Sequence, residues 1–252
     1  MQFFQPEHYA AFDPPKPSLN DEFTIAERIQ VKEILMKLDS MLWPYIESSG
    51  WDLHHHRHIN HFVSSERFIY LEDGTPIVNK ITAMWLHYGK SQEQLDFLKT
   101  LGDFDYRKKD VEDYFNAFYL HTRIQFYIDS EVFRCWLLLA TDKSYYDRSE
   151  FLRRIAKIST DRNKFYQLVV PLWDKGFYYE IEDKKLPLVK GLTQDELIKF
   201  VNKDKGGYYS GIFKEYLHGD IKIESSNIAN EMITNLKLLY PIYDFMAWRP
   251  DN

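Results

Sequence analysis

The sequence predicts an α+β protein, an antiparallel sheet flanked by helices in a single domain. Three observations carry this reading. A long segment of apolar residues at helical spacing comes first in the chain. Two β-rich stretches joined by Asp129-Ser130-Glu131 form the strongest hairpin signal in the middle. The last 110 residues or so then return to helical patterning, without the strict strand–helix alternation of a parallel sheet. The organisation expected is an extended N-terminal arm over 1–20 and one α+β domain over 21–252. Within that domain a strand-rich middle occupies 62–140 and a helical part 145–245.

Asp13-Pro14-Pro15-Lys16-Pro17-Ser18 stiffens the arm, because each proline fixes φ and biases its predecessor away from helix. A helix is predicted from Asn20-Asp21-Glu22 to about Ser48, with Ile25, Ile29, Ile34, Leu38, Met41 and Leu42 repeating along it. Pro44 is expected to kink or end it. Arg67 to Leu71 and Ile77 to Tyr88 read as strands, separated by the turn-forming Glu72-Asp73-Gly74-Thr75-Pro76. Ser91 is placed to cap a short helix through Leu101.

Phe115 to Ile128 and Val132 to Ala140 are the two arms of the hairpin. In the first, Phe118, Leu120, Thr122, Ile124, Phe126 and Ile128 share one face; Tyr119, His121, Arg123, Gln125 and Tyr127 share the other. Such a strand belongs to a sheet covered by helices on one side. Helices follow over Asp147–Ile158 and Asp161–Lys175, with Gly176 as C-cap, and then a strand over Phe177–Ile181. Thr193-Gln194-Asp195-Glu196 is a capping-box pattern opening a helix to Asn202. Gly206-Gly207-Tyr208-Tyr209-Ser210-Gly211 reads as a turn, and Ser225 or Ser226 caps a final helix through about Tyr240.

Composition narrows the function classes. The net charge of −6 argues against a protein wrapped globally by DNA, while leaving room for a local basic face. The single Cys135 excludes an intramolecular disulfide and a cysteine-rich zinc site, and its apolar surroundings read as core. No apolar run approaches a membrane span and no basic segment precedes an apolar stretch, so a cytoplasmic protein without membrane association is expected. An aromatic share of 17% fits a large core, a stacking surface, or both.

Three sets of residues can carry chemistry. Five of the nine histidines fall between His54 and His61. In an extended segment His54, His56 and His58 would face one way and could hold a divalent metal, though adjacent histidines cannot all reach one ion. The second set is a basic-aromatic sheet face: His121 and Arg123 beside Arg134 and Trp136, extended by Tyr119, Arg67 and Lys80. Guanidinium groups grip phosphate and aromatic rings stack on bases, so the ligand expected is phosphate-bearing, nucleic acid included. Arg123, Arg134 and Arg67 would contact phosphate, Trp136 and Tyr119 would stack, and His121 would act as a pH-sensitive donor. The third set is the carboxylate–lysine patterns at Glu180-Ile181-Glu182-Asp183-Lys184, after Asp174, and at Asp220-Ile221-Lys222. They suit a Mg²⁺-dependent nuclease, or simply an exposed hairpin; the enzyme alternative is a metal-dependent phosphoesterase or nuclease using the histidine cluster, with carboxylates from elsewhere. A partner-binding protein without a small-molecule site is the remaining alternative. Phosphate-loop, dinucleotide-binding and nucleophile-elbow patterns are missing.

The segment Arg67 through Lys80, the hairpin at 115–140, and Phe151 through Leu188 with Gly176-Phe177-Tyr178 and Lys185-Leu186-Pro187 together resemble uncharacterised bacterial α+β proteins of the YktB-like type. The resemblance covers about half the chain. It implies an antiparallel sheet flanked by helices and transfers no activity.

Overall fold

Alternating side chains let a strand serve two surfaces at once, and this sheet uses both. The computed structural model describes residues 1–12, 22–55, 63–70, 76–101, 121–139, 146–182, 184–206 and 209–249. Among them eight strands form one antiparallel sheet in the order β1-β3-β4-β5-β8-β6-β7, with β2 also pairing β3. The strands are β1 (His54–His55), β2 (Val63–Tyr70), β3 (Pro76–Gly89), β4 (Arg123–Asp129), β5 (Val132–Leu138), β6 (Phe177–Ile181), β7 (Lys184–Pro187) and β8 (Ser210–Leu217). The helices are α1 (Pro6–Ala10), α2 (Glu22–Ser48), α3 (Gln92–Thr100), α4 (Tyr146–Lys157), α5 (Ser159–Val169), α6 (Gln194–Val201) and α7 (Ile228–Met246). The α+β class and the single antiparallel sheet are those the sequence predicts.

The inner face of the sheet carries Leu86 and Tyr88 from β3, Ile124, Phe126 and Ile128 from β4, and Phe133, Cys135 and Leu137 from β5. Helix α7 lies across β4 and β5, while α2 packs on β3 and on α7. Leu35, Leu38, Leu42 and Ile46 of α2 are fully buried, as are Met232, Leu236, Leu239 and Ile242 of α7. Their three- and four-residue spacings put one apolar stripe of each helix on the sheet. The outer face supplies a separate small cluster of Trp136, Leu138 and Phe213, with Tyr178 packed against it.

Several boundaries differ from expectation for identifiable reasons. Helix α2 continues past Pro44 to Ser48, and α7 runs through Pro241 to Met246 rather than stopping near Tyr240. Both prolines lie on exposed helix faces, as do Ser40 and Lys237 four residues earlier, so water can satisfy the carbonyls that lose an N–H partner. The second of the paired helices ends at Val169, and Val170–Leu172 tighten into a 3-10 turn at Pro171. Helix α7 begins at Ile228 with Asn227 at its N-cap, rather than at Ser225 or Ser226.

The N-terminal segment is not extended over residues 6–10, which form α1. Phe3, Phe4, Tyr9 and Phe12 are buried in the main core, and Phe4 meets Phe133 at a ring distance of 4.5 Å. Four aromatic side chains within ten residues outweigh any tendency of this stretch to stay solvated. The proline run at 13–18, residues 72–75 of the turn expected at 72–76, and the beginning of the hairpin at 115–120 lie outside the described residues.

The largest difference is β8, where a turn is expected up to Gly211. Gly211 sits inside the strand at φ +158°, opposite Leu138 and Glu180. A Cβ built there would fall 2.0 Å from the Leu137 carbonyl oxygen, so glycine permits a close backbone approach within the sheet.

Candidate binding face of the sheet

Pairing register places the candidate residues. Across one row lie Trp85, Tyr127, Arg134 and Glu215; across the next lie His87, Gln125, Trp136, Phe213 and Tyr178. These rows form the outer face. Their rings make a continuous aromatic floor: Trp85–Tyr127 at 6.3 Å, Tyr127–Trp136 at 6.2 Å, Trp136–Phe213 at 6.2 Å and Phe213–Tyr178 at 5.5 Å. Tyr209 extends it, 5.9 Å from Trp136 and largely exposed.

Arg134 stands at the centre. Its guanidinium lies 5.8 Å from the Tyr127 ring, 5.7 Å from Trp136 and 5.6 Å from Phe213. Ring quadrupoles attract such a cation. Arg134 Nη2 pairs with Glu215 Oε1 at 2.8 Å, and Lys185 Nζ reaches the same oxygen at 3.1 Å while lying 4.8 Å from the Phe213 ring. Two cations thus share one carboxylate. The rim is open to solvent, with the Arg134 side chain 21% and the Lys185 side chain 39% exposed. Trp85 and Trp136 of the same face are closed off from solvent, and their indole N–H groups and Arg134 Nε have no hydrogen-bond acceptor.

Arg123 and His121 occupy the other end of β4. Arg123 pairs with Leu138, not with Arg134 or Trp136, because the hairpin register sets Tyr127 opposite Arg134. Its guanidinium is buried, donating through Nε to Gln125 Oε1 (3.1 Å) and through Nη1 to the His121 carbonyl (3.2 Å). His121 itself turns toward Asp147, with Nδ1 3.7 Å from Oδ2. The fully buried Asp147 carboxylate also takes the Lys90 ammonium (3.1 Å), the Trp248 N–H (2.7 Å) and the Thr122 N–H (2.9 Å). Burial alone would raise the Asp147 pKa. The Lys90 charge, His121 and the Thr122 N–H outweigh it and hold the carboxyl well below the usual range.

Lys90 also lines a cleft of about 220 Å³ with Gln94, Phe97, Trp248 and Arg249. Here Lys90 Nζ donates to the Trp248 carbonyl (2.6 Å), Gln94 donates to Asp52 (2.7 Å), and Arg249 pairs with Asp52 and Asp244. These contacts tie the segment at 248–249 to Lys90 and to Asp52, which in turn holds Gln94 of α3.

The remaining sequence candidates separate. Arg67 and Lys80 are register partners on β2 and β3, beyond the span of β3 that pairs with β4. Tyr119, His56 and His58 lie outside the described residues. His54 bonds Asp52 at 3.0 Å, while His55 stacks on Trp43 at 3.8 Å and approaches Asp39. Among the described residues no group of three or more His, Cys, Asp or Glu is placed to hold a metal ion.

The carboxylate patterns also take local roles. Glu182, at φ +56°, lies at the β6–β7 turn. Asp174 accepts from the Lys190 N–H, and Asp220 accepts from the Lys222 N–H at the head of a 3-10 turn.

Trp85, Lys185, Phe213, Glu215 and Tyr178 were not singled out as site residues by sequence. The strand-forming residues Ile212, Phe213 and Tyr216 carry a usable strand signal, masked by the neighbouring glycines. No protein-family model matches this chain, and no curated protein matches it. No helix among the described residues is long and apolar enough to cross a membrane.

Proposed function

We propose that the protein binds a phosphate-bearing ligand on the outer face of the sheet, entering at the rim formed by Arg134, Lys185 and Tyr209. The observation supporting this reading most directly is the sharing of Glu215 by Arg134 and Lys185 beside an aromatic floor. Glu180 stands opposite Lys185 on the same face, so the attraction for phosphate rests on the solvent-reaching donors of Arg134 and Lys185 rather than on a net local charge. Arginine's planar fork suits phosphate, and the flanking rings suit a flat group carried by the same ligand. Arg134 and Trp136 keep the roles their sequence pattern suggests, phosphate contact and stacking. Arg123, His121 and Lys90 would hold the end of β4 in place.

Calorimetric titration of the full chain with AMP and with ribose 5-phosphate at low and high salt tests this reading. Binding should weaken as salt screens the charged contacts, and Arg134→Ala should lower affinity at least tenfold, a change of about 1.4 kcal/mol. Unchanged affinity in Arg134→Ala would reject the assignment. Stronger binding of a single-stranded oligonucleotide than of AMP would extend the ligand to nucleic acid.

A further inference from the structure

Resting on that reading of the outer face, we infer that the ligand joins its phosphate to an acceptor-rich heterocycle of the nucleobase type, read by the Trp85 and Trp136 indole N–H groups. The argument is one of unmatched donors. Trp85 Nε1, Trp136 Nε1 and Arg134 Nε are buried without acceptors, and each of these groups can only donate. They lie together: Trp85 and Arg134 flank Tyr127 in one row, and Trp136 follows Arg134 on the same face of β5.

What sets these three apart from other unpaired buried groups of the chain is that they are donors gathered on one aromatic floor, which fits a group bringing acceptors. An ammonium compound, which brings only donors, does not match, because Glu215 already accepts from both Arg134 and Lys185. Phosphate alone does not match either. The Tyr127 ring lies 6.3 Å from Trp85 and 6.2 Å from Trp136, so the two indoles need acceptors at separate points of the ligand. An adenine ring, with acceptor nitrogens on more than one edge, can supply them. Phosphate would then remain at the Arg134–Lys185 rim.

The test compares AMP with ribose 5-phosphate, which keeps the sugar and phosphate and lacks the ring. Titrations use the full chain and the variants Trp85→Phe and Trp136→Phe, which keep an aromatic ring and lose the N–H. AMP should bind at least tenfold more tightly than ribose 5-phosphate. Each variant should lose at least fivefold for AMP, with ribose 5-phosphate unchanged and the circular dichroism spectrum retained. Equal binding of the two ligands, or full AMP affinity in both variants, overturns the inference. If ribose 5-phosphate still binds in an Arg134-dependent manner, the phosphate site survives that result. Binding of neither ligand removes the site and the inference together. Should a phenylalanine variant fail to fold, the AMP to ribose 5-phosphate ratio in the unmodified chain decides alone.

Discussion

The Asp147 carboxylate lies 3.1 Å from the Lys90 ammonium, and both side chains are closed off from water. Three elements meet at this pair: α4 supplies the acid, the residue after β3 supplies the base, and the Trp248 backbone bonds to both. A buried ion pair is costly to desolvate and more costly to break. Replacing Asp147 by Asn should therefore destabilise the fold by about 3–5 kcal/mol, because the Lys90 charge stays buried without its counter-ion. Urea unfolding measures this. The double variant Lys90→Met with Asp147→Asn should recover part of the loss, since no charge is then stranded and the Asn amide oxygen still accepts a backbone N–H; equal destabilisation of single and double variants would contradict this account.

The same carboxylate predicts how stability depends on pH. Its folded pKa lies below the ordinary 3.8, so the folded state favours the charged form. The stabilisation from Asp147 is then complete above its unfolded pKa and fades as pH falls below about 4 toward the depressed folded value. Melting temperatures measured from neutral pH downward should fall less steeply in Asp147→Asn than in the unmodified protein. Parallel slopes would assign the acid sensitivity to other groups.

Cys135 lies fully buried on the inner face of β5, and burial raises its thiol pKa strongly, with Lys214 opposing and Glu231 adding to the rise. A buried thiol held in its neutral form is a poor nucleophile. The native protein should react with a thiol-specific disulfide reagent only at the rate of unfolding, and fully in denaturant. Rapid modification in native buffer would place the thiol at a solvent-accessible position.

Gly211→Ala should be among the most damaging single-methyl additions in the chain. The added Cβ meets backbone, the Leu137 carbonyl, and no side-chain rotation can relieve it. A loss of about 3 kcal/mol is expected in urea unfolding, at the upper end of ordinary overpacking. Alanine at Gly50, where a Cβ meets nothing within 4 Å, separates clash from the cost of positive φ.

Much of the architecture was legible because the strand period is short and local. The alternation from Arg123 to Ile128 gave both faces of β4 correctly, and Asp129 fixes the hairpin turn by accepting from the Glu131 and Val132 N–H groups. Thr193 and Glu196 formed the capping box their spacing announces. Strand β8 was hidden because Gly211 is selected by contact with a strand some seventy residues earlier, which no local window contains. The candidate site divided for a similar reason. Composition of the face was readable, whereas the four-residue offset separating Arg123 from the position opposite Arg134 is a matter of register. Lys185 and Glu215 joined the site only through pairings between distant segments.

Strand β8 lies between β5 and β6, although both precede it in the chain. Until residues 210–217 are in place, β5 lacks its second neighbour and the β6–β7 hairpin has no sheet to join. A nascent chain that stalls shortly before this point presents two bare strand edges, each able to pair with the edge of another molecule. Production of this protein is therefore open to such pairing from the completion of β5 until β8 has been made, and the glycine that admits the missing strand also sets how readily that interval closes.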